Sequence, residues 1–462
     1  MKPVLFAGYR FGRHCIDGIP LMSDSVASRR YQQRHIEPGL PRLPRGKPQW
    51  QHVLVIPAYR ESADLVQRLT LLSNSDTSFV AILVLNRPDS DPQQQANEAL
   101  RACVNTLPPY RALPELANSY ALAPNCCVYL HDTESLLGPL PAGKAVGMAR
   151  KIGCDIAWQW IIDGAVASDW IYSSDADAQL PGDYFERLDN GPPDAVAATY
   201  PFVHVPGQDP ACNAATTLYE LRLHHYVLGL EYADSPYAHH SLGSCLAVRA
   251  EAYARVRGFP KRAAGEDFYL LNKLAKLGSI SSLPGECIQL QSRQSHRVPF
   301  GTGPAVTRIM QADAAGDTAL FYHPQCFVAL RALLRVIPQL YATPVATLAE
   351  QLRAQTSEES LALNSEHALL DMGLEEALQH CRRQGKSPRQ YLRHFHQWFD
   401  AFRTLKFIHA LRDAGLPQLS LSELASQQPR LWPGDSATHE ASPLRGAIQE
   451  HWHWSMRDSE HW

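Results

Sequence analysis

His52-Val53-Leu54-Val55-Ile56-Pro57 is a short apolar run, largely β-branched and stopped by proline. A run of that length with no polar alternation reads as a strand buried on both faces. It opens a regular alternation. A helical stretch follows from Ser62 to Leu72, with Ser62 as the expected N-cap, and then a second apolar strand, Phe79 to Leu85. The next helix is expected over Pro92 to Thr106, and the third strand is Cys126-Cys127-Val128-Tyr129-Leu130. A helix from about Gly143 to Ala157 leads to a fourth strand, Trp170 to Ser173, and a further strand is expected near Ala195–Thr199. Strands alternating with helices predict an α/β fold built on a doubly wound, mostly parallel sheet.

Beyond about residue 310 the pattern turns helical. Phe327 to Ile337, Ala346 to Ala354, Leu361 to Leu369, Arg389 to Leu411 and Leu421 to Gln427 carry helix formers at amphipathic spacing, which predicts a C-terminal all-helical extension. The expected organisation is therefore an arm over 1–50, an α/β unit over 51–310 with halves 51–180 and 181–310, and a helical region over 311–462. The arm is basic, with nine Lys or Arg against three acids, and is spaced by Pro38, Pro41, Pro44 and Pro48. It reads as an extended segment packed on the body, or as a peripheral contact to phosphate or an acidic membrane. The last 31 residues hold four of the nine tryptophans, and the run His451-Trp452-His453-Trp454 reads as an aromatic tail docking on the body. Its alternating residues point different ways on a helix, against a metal site.

Composition narrows the function. The chain has 462 residues with 43 Lys+Arg against 46 Asp+Glu, a formal net charge of −3. That balance gives no reason to expect nucleic acid as a partner, because phosphate-backbone affinity needs clustered cations. No run approaches the ~18 apolar residues of a membrane span. Met1 to Arg10 lacks a long apolar h-region, and the ten cysteines form no C-x-x-C pair, so a cytoplasmic protein with reduced thiols is expected.

The chemistry concentrates at Ile171-Tyr172-Ser173-Ser174-Asp175-Ala176-Asp177-Ala178. Two carboxylates at i and i+2 leave the C-terminal end of a buried strand, where open α/β sheets bind their ligands. Such a pair suits Mg²⁺ or Mn²⁺, hard ions that share their shell with phosphate oxygens. Three other stretches accompany it. Val53 to Ser62 is a strand with a sharp stop at Pro57 and a polar exit, Ala58-Tyr59-Arg60-Glu61-Ser62. Ala142 to Gly153 starts a helix with glycines and the cations Lys144 and Arg150, a favourable seat for a diphosphate. Leu242-Gly243-Ser244 and Gly265-Glu266-Asp267 follow downstream.

In this order the motifs resemble those of the family 2 glycosyltransferases, nucleotide-sugar transferases of GT-A fold, over about residues 50–303. The V-I-P-A-Y-x-E-S start is similar to that family's nucleotide-binding turn. Gly147 to Gly153 is similar to its G-x-A-R-x-x-G segment, Asp175-Ala176-Asp177 to its D-x-D, and Glu266-Asp267 to the E-D that opens a late helix. One departure stands out. Where the family carries a D-D-G-S-like turn against the base, this chain has Asn86-Arg87-Pro88-Asp89-Ser90, so the base of a UDP- or GDP-sugar is left open.

The resemblance implies a metal-dependent glycosyltransferase moving a hexosyl group to an acceptor hydroxyl, with inversion. Pro57, Tyr59, Glu61, Lys144, Arg150 and Asp175 would contact the donor. Asp175 and Asp177 would hold the ion, with His296 as a third ligand. Asp267 would be the general base and Glu266 its neighbour or alternate, and Gly243 and Ser244 would bring backbone close to the acceptor. Arg293 and Arg297 would clamp the diphosphate or a phosphorylated acceptor, on a loop that Gly301-Thr302-Gly303 allows to close as a lid. The paired histidines His224-His225 and His239-His240 splay apart and are not expected to hold zinc. Two rivals stand beside this reading. A nucleotidyltransferase shares sheet and metal, but the place of its Gly-rich loop holds Ala58-Tyr59-Arg60-Glu61. A catalytically inactive scaffold would act through the helical region, which otherwise serves as an acceptor wall or an oligomer surface.

Overall fold

The apolar runs become adjacent strands because each buries both of its faces. In the computed structural model, which describes residues 25–73, 77–111, 116–189, 191–295, 297, 301–314, 319–356, 358–427 and 445–446, the strands are β1 (His52–Ala58), β2 (Phe79–Leu85), β3 (Ser119–Ala123), β4 (Cys126–Asp132), β5 (Trp170–Ser173), β6 (Ala195–Thr199), β7 (Phe202–Val205), β8 (Leu246–Arg249), β9 (Ser279–Ser282) and β10 (Ile288–Gln291). Eight of them form one sheet in the order β3-β4-β2-β1-β5-β8-β6-β9. β1 lies between β2 and β5 and is parallel to both, and β4 continues the parallel set. β3 and β8 run antiparallel to their neighbours. β7 and β10 pair with each other outside this sheet. The fold is thus the expected α/β, GT-A-like doubly wound sheet, with a helical C-terminal part. The chain reverses its winding between β1 and β5, so the carboxyl ends of those strands open onto the crevice where such sheets take ligands.

Alternate residues of β1 serve different cores. Val53 and Val55 pack with Ile152, Ile156 and Trp160 of the Ala145–Ile162 helix. Leu54 and Ile56 pack on the other face with Leu65, Leu69, Tyr172 and Tyr184. The Ala145–Ile162 helix is buried on almost every side, and Gly153 lets it approach the sheet. A Cβ there would lie 2.4 Å from Val55 Cγ1 and 2.9 Å from Val84 Cγ2.

Several boundaries differ from expectation. The second helix runs Asp64–Leu72 with Ala63 at its N-cap, while Ser62 Oγ accepts the Asp64 N–H (3.1 Å) one residue before it. The next helix is only Glu98–Asn105. Asn97 ends it, because its amide joins the strand exits: Nδ2 donates to Asn86 O (2.8 Å) and Oδ1 accepts the Arg60 N–H (3.0 Å). Arg389 to Leu411 divides into Pro388–Trp398 and Ala401–Asp413, since Asp400 leaves the first helix to cap the second. The described part of the arm is also not extended. It includes a helix, Val26–Arg34, whose Tyr31 hydroxyl donates to the buried Asp155 (2.5 Å).

The longest helix among the described residues, Pro210–Tyr232, has start signals in the Asp209 cap and Pro210 but no single apolar stripe. Its apolar residues point all round, because Leu221 and Leu228, Leu230, and Cys212 with Ala215 enter three separate cores. Leu230 delivers it to the C-terminal helical core of Phe327, Leu333, Tyr391 and Phe407. Among the described residues no helix is long and apolar enough to cross a membrane.

Gly153→Ala is expected to lower the urea midpoint and melting temperature, because overpacking costs about 1–3 kcal/mol and outweighs the ~1 kcal/mol of helix propensity that alanine adds. Gly143→Ala is the control. Nothing lies within 4 Å of its added carbon, and its stability should match the parent.

Candidate active site

At the end of β5, Ala176 turns into the core and leaves the flanking Asp175 and Asp177 on the wall of a cavity of about 1040 Å³. The cavity runs along the carboxyl ends of β1 and β5. It reaches from Pro57 and Tyr59, past both aspartates, to Glu266 and Asp267.

Arg150 organises this floor. It sits on the Ala145–Ile162 helix with a side chain only 3% exposed. Its Nη2 donates to Asp175 Oδ1 (2.7 Å) and its Nε to Glu266 Oε1 (3.1 Å). Nη1 donates to Ser173 Oγ (2.8 Å) and Gly243 O (3.0 Å). One guanidinium therefore ties the D-x-D loop to the E-D helix. Gly243 permits it: a Cβ there would stand 2.5 Å from Arg150 Nη2. The backbone approach at Gly243 thus serves Arg150, and its neighbour Ser244 is buried with its carbonyl accepting from Ser174 Oγ (3.0 Å).

Gly265, at φ +68°, starts the Glu266–Leu274 helix. Asp267 accepts the Phe268 N–H (2.7 Å). Burial pushes its carboxyl from 3.8 up to about 7, helped by the charge of Glu266. A group titrating there holds and releases a proton near neutrality.

A second cluster closes the donor side. Arg293 Nη2 reaches Asp177 Oδ2 (2.7 Å) and Glu61 Oε1 (3.1 Å). Arg297 Nη1 donates to Tyr59 O (2.9 Å) and to Glu61 Oε1. Burial raises Glu61 to about 7 in spite of Arg297, and burial followed by the charge of Asp175 raises Asp177. The late loop is therefore seated on the β1 exit through two guanidinium groups.

Of the residues singled out by sequence, Pro57, Tyr59, Glu61, Arg150, Asp175, Asp177, Gly243, Ser244, Glu266, Asp267, Arg293 and Arg297 all line this one cavity. Lys144 is exposed; its neighbours Gly143, Ala145 and Val146 face the cavity and it does not. His296 lies outside the described residues, as do His451 to Trp454. The divergent turn after β2 is part of the wall, through Asn86, Pro88 and Ser90. The Asn86 amide is turned inward onto Ala58 O (3.1 Å).

Sequence reasoning stopped one residue short of Asp91. That carboxylate is buried and clasps Tyr59 Oη (2.7 Å) and both forks of Arg60 (3.0 and 2.8 Å), so Arg60 holds it well below the usual carboxylate range. Arg60 itself adopts φ +55°, a left-handed turn that aims its fork back at Asp91. The D-x-D spacing of Asp89 and Asp91 was the available signal. Also unanticipated are His204, Tyr219, Arg222, Tyr322 and Arg308 on the far wall. His224 Nδ1 lies 3.2 Å from His240 Nε2, a contact made across the fold and not between sequence neighbours.

The chemistry of the donor set fits a hard cation. Among the described residues each aspartate places one oxygen on an arginine, Asp175 Oδ1 on Arg150 and Asp177 Oδ2 on Arg293. Two adjoining carboxylates that repel each other are relieved by a cation. Among the described residues no three His, Cys, Asp or Glu side chains gather as a metal shell. An ion here would complete its shell from phosphate and water.

No family model and no curated protein matches the chain. Among solved structures it is similar to residues 1–349 of S. aureus TarS in complex with UDP-GlcNAc, at 13% identity and a TM-score of 0.35, covering 76% of this chain and 91% of that one. A mycobacterial protein aligns at 13% identity and a TM-score of 0.30, covering 59% and 78%. Likenesses of this size carry no assignment, and the site's chemistry has to speak for itself.

Arg150→Lys keeps the charge but cannot span Asp175, Glu266 and Gly243 together. Losing a partner from a buried charge cluster costs about 3–5 kcal/mol, so the variant should show a lowered urea midpoint. Unchanged stability would mean that the guanidinium is not what joins the two loops.

Proposed function

We propose that this chain is a glycosyltransferase that moves a sugar from a nucleotide-diphosphate sugar to an acceptor hydroxyl. The observation that carries the reading is that one guanidinium, Arg150, joins a member of each of two carboxylate pairs, Asp175 of Asp175/Asp177 and Glu266 of Glu266/Asp267, and that all four line one cavity. Sugar transfer needs one group to meet the charge of the leaving group and another to take the proton of the attacking hydroxyl, and two pairs in one cavity supply candidates for both.

Tyr59 and the Asn86–Ser90 turn would border the base, with Pro57 behind them. Arg293 and Arg297 would take up the diphosphate, exchanging Glu61 and Asp177 for phosphate oxygens, and Glu61 would then contact the nucleotide. Lys144 would act from the rim. Mg²⁺ or Mn²⁺ on Asp175 and Asp177 would supply charge to the departing diphosphate. Asp267 would accept the proton of the acceptor hydroxyl, with Glu266 held aside by Arg150, and single in-line displacement would invert the anomeric centre. Seating of Arg293 and Arg297 on Glu61 would help to exclude water from the bound sugar.

Incubation with UDP-glucose, UDP-GlcNAc or GDP-mannose and Mn²⁺ should release nucleoside diphosphate. Release of pyrophosphate from a nucleoside triphosphate and a sugar phosphate would replace this reading with nucleotidyl transfer, and no nucleotide binding with or without metal would replace it with a scaffold. Asp177→Ala should abolish the metal-dependent part of nucleotide binding. Asp267→Asn should retain binding and lose turnover.

The pH profile follows from the same group. A base must be deprotonated, so kcat/KM should reach a plateau above about pH 7 and decline below it. Between 3.8 and about 7 the folded chain keeps a proton on Asp267 that the unfolded chain has lost. Its contribution to stability therefore falls as pH rises through that window. Asp267→Asn should accordingly melt higher than the parent at pH 8, and an equal or lower melting temperature would contradict the buried-carboxylate account.

A further inference from the structure

The cavity continues past Asp267 into a region for which the proposed reaction names no ligand. Its wall is one face of the Pro210–Tyr232 helix: Tyr219, Arg222, Leu223, Tyr226, Val227 and Leu230 stand at i, i+3, i+4, i+7, i+8 and i+11, and all line the cavity. The Thr302–Ala314 helix packs against that helix and adds Arg308. Tyr322 and the Ala401–Asp413 helix close the end.

The charges here are arranged unlike those on the donor side. Arg150, Arg293 and Arg297 are each ion-paired to a carboxylate. Among the described residues Arg222 and Arg308 pair with none. Arg222 is half-buried, and the Tyr322 phenol on the same wall is held by His409 Nε2 at 2.7 Å. Arg308 is exposed at the cavity's rim and, among the described residues, donates its Nε to Pro304 O (3.2 Å), with no bond from its terminal nitrogens. Tyr219, Arg222, Arg308 and Asp267 all line this one cavity. A half-buried guanidinium facing a cavity without a counter-charge is a site for an anion, and its planar fork matches carboxylate and phosphate.

We infer that the acceptor is a hydroxyl compound bearing an oxyanion, phosphate or carboxylate, held by Arg222 and Arg308 with its hydroxyl turned to Asp267. This rests on the glycosyltransferase reading for the word acceptor; the anion site itself rests on the two arginines. The aromatic and aliphatic residues of the same helix face would cover the carbon skeleton between anion and hydroxyl.

The test uses the full chain saturated with UDP and titrates three matched probes by calorimetry: glycerol 3-phosphate, glyceric acid and glycerol. One or both anions should bind and glycerol should not, and the stronger anion tells phosphate from carboxylate. Arg222→Gln and Arg308→Gln should each weaken the anion by roughly tenfold or more, the worth of a charge-assisted hydrogen bond, while UDP affinity holds. Arg222→Lys should recover part of the loss, which a folding defect would not allow. Anions that bind no better than glycerol, or that bind the glutamine variants as well as the parent, overturn the inference. Anion binding that depends on both arginines, in a protein that consumes no nucleotide sugar, would uphold the anion site and remove the glycosyltransferase reading instead.

Discussion

The buried guanidinium of Arg150 is the constraint on which the cavity depends. Its side chain is 3% exposed and carries a charge that cannot be shed. Burying it is tolerable only if its donors are matched, and Asp175, Glu266, Ser173 Oγ and the Gly243 carbonyl match them. Those partners come from β5, from the loop before β8 and from the Gly265 turn. Three segments distant in sequence are thus forced to one place by the need to neutralise one cation. Burial, followed by the neighbouring charge of Glu266, gives Asp267 its unusually high proton affinity.

The helical extension acquires a physical role from the same viewpoint. Asn272 lies on the Glu266–Leu274 helix, and its amide binds Asp400 Oδ2 (3.1 Å) and the Ala401 N–H (3.0 Å). Lys276 reaches the same Asp400 at 2.6 Å. The break at Asp400 between two C-terminal helices is therefore the joint that braces the helix bearing Glu266 and Asp267. Ala401 and Leu405 then stand in the cavity wall. Some hundred residues beyond the sheet are tied to the position of two carboxylates.

Much of the α/β core was legible because its signals are local. β1, β2, β4 and β5 are apolar runs with clear stops, and their alternation with helices leaves few topologies. The Asp175, Asp177, Glu266 and Asp267 motifs were legible because each occupies a turn at the end of an element, where a polar residue in an apolar context stands out. The Pro210–Tyr232 helix was not legible, since burial on several sides removes the period that marks a helix. Arg150 was read as a solvated or donor-facing charge, because nothing nearby in sequence reveals that its partners lie up to 116 positions away. Asp91 was missed for the same reason: its clasp on Tyr59 and Arg60 exists only when β1 and β2 are neighbours.

The sequence by itself determined β1, β2, β4, β5 and β6, the side on which a ligand crevice opens and the residue types available to it, because hydrophobic run length and turn chemistry act over a few residues. Only the tertiary structure decided which cations are already neutralised and which still face the cavity. Arg150, Arg293 and Arg297 find carboxylates across the fold. Arg222 and Arg308, on two packed helices, find none among the described residues. That distinction depends on distances between segments remote in the chain and on how deeply the groups are buried, the two quantities that set a Coulomb energy.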